Sequence, residues 1–183
     1  MHKVYSALGD DGYTGLLGPG RVPKYHPQPE ACGALDEASA AMGQARAWAR
    51  SERTKATLLE SQRHLYRLMT ELAATPETVD QWPGIVPGDV VWLEQQIEAL
   101  GAELELPREF IVPGDSIASA ALDMARAVTR RAERWVVRLL HEGFVANPET
   151  VRYLNRLSSL LFVLARYEES LSGVRRATLA NAL

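Results

Sequence analysis

The sequence predicts an all-α fold, on three observations. Apolar residues recur at three- and four-residue spacing through five long stretches. No stretch alternates with the period of two that a half-buried strand requires. Gly and Pro gather between the periodic stretches and stay largely outside them. The expected arrangement is one domain of 183 residues, enough for a continuous core. It has a Gly/Pro-rich N-terminal loop (1–29), a helical bundle (30–172) and a polar, fraying tail (173–183).

The first thirty residues carry Gly9, Gly12, Gly15, Gly18, Pro19, Gly20, Pro23, Pro27 and Pro29 without helical periodicity, so a loop is expected. The first helix, about Glu30 to Arg50, is rich in small residues (Ala31, Gly33, Ala34, Ala38, Ala40, Ala41, Gly43) that permit close helix approach. The second runs from about Ser51 to Thr75 on Leu58, Leu59, Leu65, Leu68, Met69 and Leu72, and Pro76 stops it. The third, about Asp89 to Leu104, carries Val90, Leu93, Ile97 and Leu100. The short apolar connection Leu106–Gly114 follows, and Asp115 or Ser116 caps a long fourth helix that reaches about His141. The fifth opens at Asn147-Pro148-Glu149, a cap residue followed by proline, and closes near Gly173. Helices of this length span ~30–40 Å.

Charge and composition exclude several classes of function. The formal net charge is −3, which argues against a nucleic-acid binder and leaves any basic patch local. The single cysteine, Cys32, rules out an internal disulfide framework. His2, His26, His64 and His141 show no metal-ligand spacing, so no protein metal site is expected. No apolar run reaches the ~20 residues of a membrane span and no secretory leader is evident, so a soluble cytoplasmic protein is expected.

The chemistry concentrates in the fourth helix. At ~100° per residue, Arg126, Arg130 and Arg134 rise one turn apart on one face with Glu133 beside them. Met124, Val128, Ala132, Trp135, Val136 and Leu139 are expected on the opposite, apolar face. A charge run on a helix ordinarily just faces water. Like charges one turn apart nevertheless repel by a few tenths of a kcal/mol per pair, so an anion, either carboxylates or a polyphosphate, suits the stripe. The glycine-rich segment Gly9–Gly18 lets backbone N–H groups approach phosphates closely, but it is neither a P-loop nor a dinucleotide fingerprint.

Taken together these segments resemble the PduO-type ATP:cob(I)alamin adenosyltransferases over nearly the whole chain. The resemblance is carried by Gly9-Asp10-Asp11-Gly12, Thr14-Gly15-Leu16-Leu17, Arg21-Val22-Pro23-Lys24, Glu30-Ala31, Gly33, Asp36-Glu37 and Glu71–Pro76. It continues through Phe110–Gly114, Ala120–Leu122, Ala125-Arg126, Arg130–Arg134, Tyr153–Ser158 and Leu161–Tyr167. It implies a five-helix bundle with ferritin-like packing, assembled as a homotrimer with active sites between subunits. The implied reaction moves the 5′-deoxyadenosyl group of ATP to cob(I)alamin, giving adenosylcobalamin and triphosphate, with Mg²⁺ accompanying the nucleotide. A corrinoid reductase or a B12-dependent mutase is the implied partner.

By the same resemblance, Arg126, Arg130, Phe110 and Asp36 are the catalytic set. Gly9, Asp10, Gly12, Thr14, Gly15, Lys24, Arg130, Glu133, Arg134 and Asn155 bind ATP, and Phe110, Arg126 and Asn155 contact the corrin. Asp36 is expected to pair with Arg126 across the subunit interface, and Phe110 to occupy the lower corrin face, excluding the axial ligand. The chain also departs from the family pattern. Ala7 stands where a lysine is usual, and Leu8, His26, Gln28, Asp115, Asp123 and Ser159 also depart from it. These departures define two alternatives: a catalytically weakened homologue that binds or delivers adenosylcobalamin or senses nucleotide, and a structural bundle whose arginines only form interface ion pairs.

Overall fold

The computed structural model describes residues 4–174 and 176–181. His2, Arg175 and the last two residues of the expected tail lie outside the described residues. Five α-helices follow a short antiparallel hairpin: β1 (Tyr13–Gly15), β2 (Arg21–Pro23), α1 (Pro27–Trp48), α2 (Glu52–Ala73), α3 (Pro87–Gly101), α4 (Ile117–His141) and α5 (Glu149–Leu171). A 3₁₀ turn, Val79–Gln81, lies between α2 and α3.

The helix ends follow from their local chemistry. Ser51 accepts from the N–H groups of Arg53 and Thr54, and Ser116 and Ser119 form a reciprocal capping box at the start of α4. The Asn147 carboxamide oxygen accepts from Glu149 N–H at 3.0 Å and holds the start of α5. Both α4 and α5 end in Schellman motifs, because Gly143 (φ 78°) and Gly173 (φ 82°) take the left-handed conformation that turns the chain back on its last carbonyls.

α1 packs most extensively on α4, α4 on α5, and α2 and α3 close the bundle against α1 and α5. Ala31, Ala34, Ala38 and Ala45 of α1 are buried, and Ala121, Ala125 and Ala132 form much of the buried side of α4. Small residues therefore bring these two helices together within the chain. Gly33, Ala40 and Ala47 face outward instead. Leu58, Leu65, Leu68, Leu93, Leu122, Leu154 and Leu161 fill the centre with essentially no exposure.

Polar ties bind distant segments. Gln28 is buried and its amide donates to the Leu72 carbonyl at 2.9 Å, fixing the N-terminal segment to the end of α2. Glu168, fully buried on α5, accepts from the backbone N–H of Arg50 at 2.8 Å and of Ser51 at 3.1 Å, just ahead of α2.

Four expectations need correction. The N-terminal segment is not all loop: Tyr13–Gly15 pairs with Arg21–Pro23, a hairpin too short for alternation to reveal. α1 begins at Pro27 and α3 at Pro87, because a proline fits the first turn of a helix, where no N–H is needed. Met124 is 59% exposed although helical angle placed it on the apolar face, since no other element among the described residues covers that flank of α4. The tail does not simply fray. Its described residues dock on the segment before α4, where Val112 N–H donates to the Thr178 carbonyl and Ala180 N–H to the Phe110 carbonyl, both at 2.8 Å.

Candidate active site

The arginines of α4 divide by angle. Arg130 and Arg134 point away from the core and are exposed, while Arg126 is half-buried, with Nε 3.5 Å from Asp123 one turn back. The only hydrogen bond of the Arg134 guanidinium among the described residues runs to the Arg130 carbonyl at 2.9 Å, and no carboxylate of the described residues lies within ion-pair distance of either side chain. The next arginine, Arg131, turns to α1 and is taken by Glu37.

On the α5 side the sequence-predicted residues do meet. The Asn155 amide donates to the Glu133 carboxylate at 3.2 Å. Asn155 Oδ1 in turn accepts from Arg156 at 2.7 Å, and Arg156 pairs with Glu94 of α3 at 2.9 Å. Asn155 is thus oriented by a relay running α4–α5–α3 through Glu133, Arg156 and Glu94. Ser159, one turn on, is exposed and donates only to the Asn155 carbonyl.

The N-terminal hairpin is organised by a residue the site prediction left out. Arg21 takes both carboxylate oxygens of Asp11 at 2.8 Å and also donates to the carbonyls of Leu8 and Tyr13. That guanidinium, with the Tyr13 N–H, holds the Asp11 carboxyl below the usual carboxylate range. Gly12 (φ 85°) and Gly20 (φ 91°) sit in conformations that favour glycine, so the loop bends tightly around this pair. Gly9 lies under the Lys24 ammonium, where a β-carbon would stand 3.0 Å from Nζ. Lys24 also lines a groove of ≈ 440 Å³ along the α1–α4 seam with Glu30, Gly33, Glu37, Arg131 and Trp135. Thr14 is half-buried within β1, while Asp10 and Gly15 are exposed.

The departures have structural uses. His26 caps α1 through Nδ1 and packs edge-on against Phe144 at 5.1 Å between ring centres. Gln28 forms the buried tie to α2. Ala7 sits at φ 57°, a left-handed position, at the turn that opens the hairpin segment. Asp115 receives both the backbone N–H and the hydroxyl of Thr178, at 2.8 and 2.6 Å.

Phe110 lies at the N-terminal end of α4 and is 84% exposed, an unusual solvent exposure for a phenyl ring. Its backbone is fixed by the docked tail, with Ile111 bridging Leu179. The Asp115–Thr178 pair tethers that tail. Asp115→Ala should therefore speed amide exchange at Val112 and Ala180 about tenfold, for the loss of one charge-assisted contact. Exchange within α5 should stay unchanged, as read by hydrogen–deuterium mass spectrometry.

The chain brings together Glu133 with Asn155, and Gly9 with Lys24. It does not bring these two groups to one side of a single protomer. Lys24 borders the α1–α4 seam, Asn155 the α4–α5 seam, and the exposed ridge of α4 separates them. Asp36 is exposed on α1, and within the protomer Arg126 lies beside Asp123 of its own helix.

An α-helical bundle with an outward arginine ridge, preceded by a glycine-bent hairpin, defines the class of protein: a helical bundle whose exposed guanidinium groups suit phosphate or carboxylate oxygens. The chain belongs to the cobalamin adenosyltransferase family, whose model matches residues 4–168. It is 35% identical over 171 residues to the corrinoid adenosyltransferase of Citrobacter freundii, covering 93% of this chain and 97% of that protein. It is 38% identical over 169 residues to the corrinoid adenosyltransferase PduO of Salmonella typhimurium, covering 91% of this chain and spanning half of that protein's length. Among solved structures, a phenylalanine-to-alanine variant of the PduO-type ATP:corrinoid adenosyltransferase from Lactobacillus reuteri, complexed with cobalamin and ATP, superposes with a TM-score of 0.88 at 30% identity, over 98% of this chain and 99% of that one.

Proposed function

We propose that this chain transfers the 5′-deoxyadenosyl group of ATP to cob(I)alamin, forming adenosylcobalamin and inorganic triphosphate. The observation that carries this reading is the exposed pair Arg130 and Arg134 on α4, without a carboxylate partner among the described residues, on the helix whose Glu133 orients Asn155. In the reaction, the Co(I) electron pair forms the Co–C5′ bond. The C5′–O bond breaks, its electrons leave with the triphosphate, and cobalt ends as Co(III). Co(I) is a strong nucleophile, so no general base is needed. What the protein must supply is alignment, which contributes ~7–11 kcal/mol, and fixed cations for the departing charge. Arginine forks suit that role because they bind phosphate oxygens in pairs.

Within this proposal Gly9, Asp10, Gly12, Thr14, Gly15 and Lys24 wrap the nucleotide, together with Arg130, Glu133, Arg134 and Asn155. Phe110 faces the corrin, with Arg126 and Asn155 at its edge. Mg²⁺ would accompany the nucleotide and supply charge neutralisation for the triphosphate.

The separation of Lys24 from Asn155 within one protomer supports a homotrimer in which the hairpin and α1 of one subunit complete the α4–α5 side of the next. Met124 and Ile117, 59% and 71% exposed on α4, and the outward Gly33 and Ala40 of α1 offer the surface for such contact. A corrinoid reductase or a B12-dependent mutase would supply or receive the corrin. No helix among the described residues is long and apolar enough to cross a membrane, and a cytoplasmic setting accords with the lone Cys32.

The direct test is incubation with ATP and chemically reduced cobalamin, followed by chromatography for adenosylcobalamin and triphosphate. Absence of both products would leave the alternative of a weakened homologue that binds or delivers the cofactor. For the assembly, light scattering should report three chains per particle. Asp36→Ala should cut turnover about tenfold or more while leaving the unfolding midpoint of this exposed position nearly unchanged. Parallel losses in both would make Asp36 a structural residue.

A further inference from the structure

Asp123 sits among buried charges that the proposed reaction does not by itself require. Its carboxylate is almost fully enclosed, with the side chain 3% exposed. Oδ2 accepts from Arg166 of α5 at 2.7 Å, and Oδ1 stands 3.5 Å from Nε of Arg126. Arg166 is equally enclosed and also meets Glu169 at 3.0 Å, while Nε and one terminal nitrogen of its guanidinium are buried without hydrogen-bond partners. Two carboxylates and two guanidinium groups therefore share one largely buried cluster, and Arg126 is its only member that reaches the surface. Burial pushes the Glu169 carboxyl up from its ordinary value.

The geometry at Arg126 is informative. Its Nε is buried and makes no hydrogen bond, yet lies within ion-pair distance of Asp123. The Nε edge of the guanidinium is thus turned inward against a carboxylate. In a planar fork with five N–H donors, the terminal nitrogens remain available to a second anion.

Resting on the function proposed above, we infer that Asp123 is a positioning residue for the adenosyl-transfer site: by dividing its carboxylate between Arg166 and Arg126, it anchors the guanidinium of Arg126 from inside the protomer. Asp123 touches neither substrate. It acts by restricting where the Arg126 charge is presented at the base of the α4 ridge, so that the chain fixes this arginine before any carboxylate from a neighbouring subunit reaches it. The anchor joins α4 to α5 through Arg166, which couples the orientation of Arg126 to the packing of those two helices.

The test uses the full-length protein labelled with ¹⁵N, with the Arg126 Nε–H resonance assigned through its loss in Arg126→Lys. In the unmodified chain this proton should exchange with solvent at least about tenfold more slowly than that of the exposed Arg130. In Asp123→Asn it should shift and lose that protection, and kcat/KM for cobalamin should fall about tenfold. Arg166→Lys should preserve the Arg126 protection better than Asp123→Asn does, because it leaves the carboxylate in place. Equal exchange of Arg126 and Arg130 in the unmodified chain overturns the inference without any variant, so a failure of Asp123→Asn to fold does not shelter it. An unchanged Arg126 signal in a folded Asp123→Asn protein overturns it as well. An unmodified chain without turnover whose Arg126 signal is protected, and loses protection in Asp123→Asn, refutes the proposed reaction and supports the anchor.

Discussion

Arg130→Ala should lower adenosyl-transfer turnover at least about tenfold while moving the thermal midpoint by no more than a few degrees. The side chain is exposed and engages no carboxylate of the described residues, so its removal breaks nothing that holds the fold; surface changes of this type usually stay within about 0.5 kcal/mol. The contact it would make is charge-assisted and worth about 1.5–3 kcal/mol, more than the factor of ten that 1.4 kcal/mol represents. Steady-state kinetics with ATP varied, beside differential scanning calorimetry, separates the two quantities. A variant with full turnover removes Arg130 from the leaving-group site. One that loses stability in step with turnover makes it part of the scaffold.

Phe110→Ala should produce an equally large loss on the corrin side with ATP binding preserved. Its ring is 84% exposed while its backbone is pinned by the docked tail, so truncation deletes a presented surface and leaves no cavity in the core. Spectroscopy of cob(II)alamin mixed with protein and ATP should show a four-coordinate signature in the unmodified chain and lose it in the variant. Calorimetric ATP affinity should agree within about twofold between the two, since Phe110 lies at the opposite end of α4 from the hairpin side of the bundle. If the unmodified chain never gives the signature, Phe110 has no corrin role here.

Much of the scaffold is legible in the sequence because helices announce themselves locally. The spacing of Leu58, Leu65, Leu68 and Leu72 marks α2, Ser51 and Ser116 mark helix starts, and Gly173 marks the turn that closes α5. The arginine ladder is legible for the same reason, since Arg130 and Arg134 are one turn apart on one helix. What escapes is set by partners remote in the chain. Asp123 reads only as a departure from the family pattern until Arg166, 43 residues on, is seen to pair with it in the interior. The tail reads as polar and unattached because its docking joins residues more than 60 apart, through backbone pairs and the Asp115–Thr178 contact, none of which leaves a local pattern. Arg21 opens β2 and Asp11 precedes β1, a hairpin whose cross-strand pairing is too short to leave a periodic trace. Met124 shows the converse error: helical angle alone cannot say which flank of α4 another element of the chain covers.

The carboxylate of Glu168 that receives the backbone ahead of α2 bears on how fast this protein reaches its native state. The two positions it ties are 118 and 117 residues away along the chain. Most helical bundles collapse quickly because neighbouring helices meet across short connections, and rates fall as contacts become more distant in sequence. Here the α1–α2 corner gains its buried anion only once α5 has arrived, and α1 meets its main partner, α4, across two intervening helices. The α1–α2 pair is therefore a late-committing hairpin, with helical turns that form early and a junction that consolidates last. A protein with this wiring refolds on a slower timescale than its helix content alone would indicate.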